Sequence, residues 1–147
     1  MGKIKMIYPV IAGVVCQSDL LIKKEVEAGN CSLKEELQDK KIELRKVHNY
    51  GMFLNLLEKN PKLVKLCSSF SVGIIFLLAI KTWRGKGILK KIGMSLLLGG
   101  GLSNAYDHII RGYVVDYIGF KVKAKKFSDI TYNLGDFAIF LGAILQL

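Results

Sequence analysis

The chain has 147 residues, a usual size for one domain, of which 51% are hydrophobic and 23% charged. This composition excludes an intrinsically disordered chain, and the bunching of the apolar residues, with a mean hydropathy of +0.33, favours a membrane protein. The net charge of +10 is shared by nucleic-acid-binding proteins and by membrane proteins that face anionic headgroups, and without a basic soluble domain we expect no nucleic acid partner.

Four apolar stretches follow one another along the chain, at about residues 4–22, 63–80, 92–110 and 130–147. Each is close to the ~20 residues that cross a bilayer as a helix. They predict an all-α membrane protein with four transmembrane helices, up-down-up-down, in a single integral-membrane domain over residues 1–147. Asp19 occupies the place where signal-peptide cleavage would require a small residue, so residues 4–22 are predicted to be a retained helix.

The segments between these helices differ in character. Residues 23–62 are polar and highly charged, and within them Ile42, Leu44 and Val47 alternate with polar residues. This alternation predicts a short strand or hairpin on the membrane surface, a small β-like cradle between helices one and two. Residues 111–129 also have room for an extended piece. Three consecutive glycines, residues 99–101, predict close helix packing, because they are not followed by the Lys-Ser/Thr pair of a phosphate-binding loop.

Cysteine and histidine are sparse. The three cysteines, Cys16, Cys31 and Cys67, are widely spaced and form no CxxC motif, and there are only two histidines. This pattern predicts neither a disulfide framework nor a metal site.

Acidic residues provide the strongest functional signal. Seven of the twelve lie in the polar segment, but Asp19, Asp107, Asp116 and Asp136 lie in or at the ends of the predicted helices. A carboxylate costs roughly 2.5 kcal/mol or more at the bilayer centre, so these four are functional candidates. Since the helices alternate in direction, all four are expected on the side of the membrane that carries residues 23–62.

Local sequence distinguishes the four acids. Asp19 and Lys23 have the i,i+4 spacing of a structural ion pair at a helix end. Asp107 suits either a buried supporting role or a catalytic one. Asp116 and Asp136 have apolar neighbours and no local counter-ion, which favours a functional role. Two such carboxylates can share one proton and activate water against a peptide bond.

Five sequence blocks occur in a recognisable order. GGGLSNAYDHIIRGYVVDYI and YNLGDFAIFLGAIL contain G-N-x-x-D-R-like, V-V-D-F-like and F-N-x-A-D-like blocks. Asp19 and Lys23 match a D-x-x-x-K block, and residues 48–51 match an H-N-x-G block. In order, spacing and expected topology, the chain resembles the bacterial lipoprotein signal peptidases, the signal peptidase II family.

This resemblance implies an intramembrane aspartic endopeptidase that cuts diacylglyceryl-modified prolipoproteins before the lipidated cysteine. Asp116 and Asp136 would be the catalytic pair, one acting as base and the other as acid. It also implies location in the bacterial cytoplasmic membrane, with both termini cytoplasmic and the cradle extracytoplasmic. The implied partners are prolipoprotein substrates and membrane lipids, and we expect a monomer with no metal or organic cofactor. The residues expected to support the pair and bind substrate are Asn49, Gly51, Asn104, Asp107, Asn133, Asp19 and Lys23.

The sequence also departs from the family pattern. His108 replaces the Arg that follows the third-helix Asp, and Arg111, one turn later, is a candidate substitute. Gly135 stands where Ala is usual. A divergent paralogue and a catalytically inactive binder therefore stay open as alternatives, although both dyad aspartates are present. A proton- or cation-handling membrane protein is a further alternative, but a relay predicts acids at several depths, whereas these lie near one face.

Overall fold

The computed structural model describes residues 5–30, 41–52, 55–123 and 128–147. A central helix, α3, packs against the other three, and a short π-helical turn continues it. A small sheet covers one end of this bundle. The helices are α1 (Ile7–Ala28), α2 (Pro61–Arg84), α3 (Ile88–Tyr106) and α4 (Leu134–Ile144); the π turn is Asp107–Arg111; the strands are β1 (Ile42–Asn49), β2 (Val114–Phe120) and β3 (Thr131–Tyr132).

Helix α1 is longer at its C-terminal end than the apolar pattern predicts. It continues past residue 22 because Lys23 and Val26 turn inward and are buried. It ends at Gly29, whose φ of 72° is in the left-handed region and whose N–H bonds to the carbonyls of Glu25 and Val26. The predicted start at residue 4 lies outside the described residues.

The glycine run fits three helices around α3, which confirms the expectation of close packing. A Cβ on Gly99 would lie 2.6 Å from the carbonyl oxygen of Ala12 on α1. A Cβ on Gly100 would overlap the carbonyl oxygen of Gly135 on α4. Gly101 faces α2 more loosely, since its Cβ would lie 3.6 Å from the side chain of Val72.

The sheet is antiparallel, in the order β1-β2-β3. The strand expected around Ile42 and Leu44 is confirmed as β1, which pairs with β2 through partners that include Val47 with Asp116. The prediction that the cradle is made between helices one and two is wrong in part, because β2 and β3 lie between α3 and α4. The prediction of an extended piece within residues 111–129 is confirmed by β2.

Helix α4 begins at Leu134 and not near residue 130. Asn133 caps it by accepting a hydrogen bond from the backbone N–H of Asp136, and the Asp136 carboxylate accepts one from the N–H of Asn133. This reciprocal capping box satisfies two of the orphan donors at the helix start. The preceding residues pair as β3 with β2.

Four apolar stretches do not give four equally apolar helices. Within the described residues, one helix, α2, is long and apolar enough to cross a membrane by length and composition, with a mean hydropathy of 2.2. Helix α4 is apolar but has only 11 residues, and α1 carries charged residues in its C-terminal third. Much of the α2 surface is exposed, including Leu66, Phe70 and Leu77.

Candidate active site

Asp116 and Asp136 line one cavity of about 510 Å³ that lies between the sheet and helices α2, α3 and α4. Asp136 is in the first turn of α4, as the sequence predicts. Asp116 was expected near the end of helix three, and this placement is wrong: it lies on β2, with 5% of its surface exposed. The strand holds Asp116 close to the N-terminal turn of α4.

Asn133 connects the two carboxylates. Its Nδ2 donates to Asp116 Oδ1 at 2.7 Å, and its Oδ1 accepts from the backbone N–H of Asp136 at 2.8 Å. Its own N–H donates to Asp136 Oδ2 at 3.1 Å. Asn133 is fully buried, and its backbone N–H, its Nδ2 and its Oδ1 all take part in these hydrogen bonds. It therefore fixes the orientation of both carboxylates together.

Two further amides approach the pair from other elements. Asn104 of α3 donates from Nδ2 to Asp136 Oδ1 at 2.9 Å, and Asn49 of β1 donates from Nδ2 to Asp116 Oδ2 at 3.4 Å. Asn49 is itself held by the backbone N–H of Gly51, which donates to its Oδ1 at 3.0 Å.

The environment of Asp116 favours its neutral form. Burial, together with the negative charge of Asp136, raises the pKa of this carboxyl to about 7, even though hydrogen bonds from Asn133 and Asn49 act to lower it. Near neutral pH, Asp116 is therefore populated both with and without its proton. A protonated and an ionised carboxyl side by side can act as general acid and general base.

A buried ionic cluster lies behind the cavity. Lys23 Nζ is 2.8 Å from Asp19 Oδ2 and 3.0 Å from Asp107 Oδ2, and all three side chains are fully buried. The i,i+4 ion pair predicted between Asp19 and Lys23 is present, and Asp107 joins it from the π turn after α3. Asp107 is also bound by Arg111 at 2.9 Å, which provides a second cation.

The cluster is connected to Asp136 through Asn104 and to the start of α4 through Tyr117. Lys23 Nζ donates to Asn104 Oδ1 at 2.8 Å; because an ammonium group can only donate, the Nδ2 of Asn104 must point the other way, toward Asp136. The Tyr117 hydroxyl donates to Asp19 Oδ1 at 2.8 Å and accepts from the Leu134 N–H at 3.0 Å. The cluster therefore supports the first turn of α4.

The structure brings all nine predicted site residues into this assembly, either at the cavity or in the cluster behind it. Several further polar residues of the cavity wall, among them His108 and Thr131, were not selected from the sequence. His108 stood out only as a departure from a family pattern, and Thr131 carries no sequence signal. Over the described ranges, no group of three or more His, Cys, Asp or Glu side chains could hold a metal ion.

A family model described as signal peptidase (SPase) II matches residues 11–147. The chain is 35% identical over 107 residues to the lipoprotein signal peptidase of Shigella flexneri and 36% identical over 107 residues to that of Cronobacter sakazakii. Each match covers 71% of this chain and 64% of the relative, so it spans just under two thirds of the relative's length.

Two solved structures share the fold. Both are described as bacterial membrane enzyme structures obtained by the in meso method. The first has a TM-score of 0.78 at 21% identity and covers 99% of this chain and 89% of its own. The second has a TM-score of 0.72 at 20% identity and covers 95% and 88%.

Proposed function

The chain belongs to the signal peptidase II family, and we propose that it is an intramembrane aspartic endopeptidase acting on diacylglyceryl-modified prolipoproteins. It removes the signal peptide by cutting before the lipidated cysteine. The observation that carries this proposal is the pair Asp116 and Asp136, which line one cavity and are oriented by the same residue, Asn133. The lipoprotein signal peptidases of Shigella flexneri and Cronobacter sakazakii support the substrate class.

The reaction follows from the protonation of the pair. Asp136 in its ionised form takes a proton from water, whose oxygen forms a bond to the carbonyl carbon of the scissile peptide. Asp116, protonated in part near neutral pH because its pKa is raised to about 7, donates its proton to the nitrogen as the C–N bond breaks. The products are a carboxylic acid and an amine, and the two carboxyls again hold one proton between them.

The other site residues act as positioning groups in this proposal. Asn49, Asn104 and Asn133 hold the two carboxylates by the hydrogen bonds described above, and Gly51 holds Asn49. The buried charges of the cluster fix α1 against α3 behind the site. These cluster residues are Asp19, Lys23 and Asp107.

We further propose that the chain forms one monomeric integral-membrane domain, with the four helices crossing the bacterial cytoplasmic membrane in alternating directions. The exposed apolar side chains of α2, including Leu66, Phe70 and Leu77, suit contact with lipid. Asp19, Asp107 and the carboxylate pair all lie at the end of the bundle that carries the sheet. In this arrangement that end is extracytoplasmic, and both termini are cytoplasmic.

The proposed cleavage specificity is tested with the purified full chain in detergent micelles. The prolipoprotein substrate is supplied in two forms, one with the diacylglyceryl group on its cysteine and one unmodified. Mass spectrometry of both products identifies the bond that is cut. The proposal predicts cleavage of the modified form, with the lipidated cysteine as the new N-terminus. Equal cleavage of both forms, or cleavage at another bond, would overturn the assigned specificity.

A further inference from the structure

Two buried polar atoms of the cavity wall lack a hydrogen-bond partner. Over the part of the chain that the structure describes, His108 Nδ1 and Thr131 Oγ1 are the two buried side-chain nitrogen or oxygen atoms in this state. His108 has 5% of its surface exposed and Thr131 has 9%. Both residues line the cavity that contains Asp116 and Asp136.

Their state contrasts with that of the polar groups around them. Asn49, Asn104 and Asn133 line or adjoin the same cavity, and their amides are committed to the two carboxylates. Buried polar groups in folded proteins are nearly always paired, and an exception in a concave site indicates a group that a ligand will satisfy. Among the described residues of the wall, His108, on the π turn after α3, and Thr131, on β3, are therefore the ones with a buried side-chain nitrogen or oxygen that has no partner.

We infer that His108 and Thr131 are substrate-binding residues, each donating a hydrogen bond to a carbonyl oxygen of the lipidated peptide. This inference rests on the proposed function. Because neither atom is accessible in the free protein, substrate binding includes a rotation of each side chain that turns its donor into the cavity. The Thr131 hydroxyl then donates, and the imidazole of His108 donates in the tautomer that carries the proton on Nδ1. The carbonyl has two possible sources, the peptide backbone beside the scissile bond and the esters of the diacylglyceryl group.

The rest of the cavity wall is largely apolar, which makes hydrogen-bond donors important for substrate binding. Apolar side chains form much of the lining, including Val72, Ile75 and Ile139. A lipidated segment that fills this space brings carbonyl groups with it and displaces water that would otherwise satisfy them. A buried carbonyl without a donor loses affinity, so each donor strengthens the complex.

A substrate-binding role and a structural role predict different unfolding temperatures for variants of these two residues. In the free protein, neither atom contributes a hydrogen bond to another protein group. Removing the polar atom while keeping the side-chain shape should therefore leave the unfolding temperature unchanged or higher. A residue with a purely structural role would lower the unfolding temperature instead.

Four variants test the inference on the full chain. Thr131→Val and His108→Leu remove the donors at similar volume, whereas Thr131→Ser keeps the hydroxyl and His108→Asn keeps an amide nitrogen near the place of Nδ1. Thr131→Val and His108→Leu are each expected to lower kcat/KM about five- to thirtyfold, mainly through KM. Thr131→Ser and His108→Asn are expected to recover most of that loss. Thr82→Val on α2 makes the same change outside the cavity and should leave kcat/KM unchanged.

A binding measurement keeps this inference distinct from the proposed function. A fluorescent diacylglyceryl-cysteine peptide is titrated against Asp116→Asn protein, with and without each donor removed. Weaker binding of at least fivefold supports the inference even if the wild-type chain cleaves nothing, an outcome that would overturn only the proposed function. Unchanged binding and cleavage in both donor-free variants overturns the inference and leaves the proposed function intact. A lowered unfolding temperature with activity lost in proportion to folded protein also overturns it.

The same titration with an ether-linked dialkylglyceryl peptide distinguishes the two carbonyl sources. If the effect of a donor-free variant disappears with this probe, the carbonyl belongs to the ester of the lipid. If the effect persists, the carbonyl belongs to the peptide backbone. Either result supports the inference and locates the contact.

Discussion

Replacing Lys23 by Met tests whether the buried ionic cluster holds α1 against α3. The Lys23 ammonium lies 2.8 Å from Asp19 and 3.0 Å from Asp107, with no exposed surface on any of the three side chains. Met preserves the length of the side chain but leaves Asp19 without a cation, while Asp107 keeps only Arg111. Removing one partner of a buried ion pair costs about 3–5 kcal/mol.

The expected loss is large compared with the whole stability of a domain, which is about 5–15 kcal/mol. For a chain of this size, each kcal/mol corresponds to roughly 3 °C in the unfolding temperature, so Lys23→Met should unfold about 10–15 °C below wild type. The assay is thermal unfolding in detergent, followed by the fluorescence of the buried Trp83.

Lys24→Met is the matched control, because Lys24 is the next residue on α1 and its side chain is exposed. Surface substitutions usually change stability by less than about 0.5 kcal/mol. A second variant, with Lys23→Met, Asp19→Asn and Asp107→Asn together, removes the uncompensated charges and should recover much of the loss. An unfolding temperature of Lys23→Met within about 2 °C of that of Lys24→Met would contradict a stabilising role for the cluster.

Three further predictions concern the site and its supports. Folding raises the pKa of Asp116 from its ordinary 3.8 to about 7, so the stability it contributes is full below the unfolded-state pKa and is lost as pH rises through 7. The unfolding temperature should therefore fall more between pH 5 and 8 for wild type than for Asp116→Asn, and parallel curves would contradict this. Gly100→Ala would place a methyl group against the Gly135 carbonyl, which should push α3 away from α4 and lower the cleavage rate at least tenfold. In Gly101→Ala the added methyl group would meet the side chains of Val72 and Ile75 at ordinary contact distances, so the rate should not fall in this way. Equal rates for the two variants would show that the close approach at Gly100 is unimportant for cleavage. Tyr117→Phe removes bonds to Asp19 and to the Leu134 N–H and should cost about 1–3 kcal/mol in thermal unfolding, a cost that would be absent if the hydroxyl were not used.

Part of the fold can be predicted from the sequence because the signals for it are local. The alternation at Ile42 and Leu44 predicts β1, and the spacing of Asp19 and Lys23 predicts their ion pair. The glycine run predicts close helix packing, since only the absence of a side chain allows such an approach. In each case a few neighbouring residues carry the physical cause.

Other features could not be predicted from the sequence, because their causes are long-range contacts or ambiguous local patterns. Asp116 lies in the apolar run VVDYI, whose first four residues are buried, so it lacks the alternation that would distinguish a strand from a helix end. The sequence of Asn133 and Asp136 is that of a capping box, which marks the start of α4. The apolar residues before it nevertheless led to a predicted helix that begins too early. The contact of Asp107 with Lys23 joins residues far apart in the chain, and the unpaired hydroxyl of Thr131 appears only in three dimensions.

The central claim is that Asp116 and Asp136 together hydrolyse the peptide bond. Its most direct test is single-turnover release of the signal peptide from a diacylglyceryl-modified prolipoprotein by wild type, Asp116→Asn and Asp136→Asn. Asp129→Asn is the matched control, because it makes the same change at an exposed acid that lines the same cavity.

Loss of a catalytic acid or base typically costs about 10²–10⁴-fold. The account predicts a loss of this size for both Asp116→Asn and Asp136→Asn in folded protein, and a rate for Asp129→Asn within a few-fold of wild type. A folded Asp116→Asn or Asp136→Asn protein that retains more than about a tenth of the wild-type rate would contradict it.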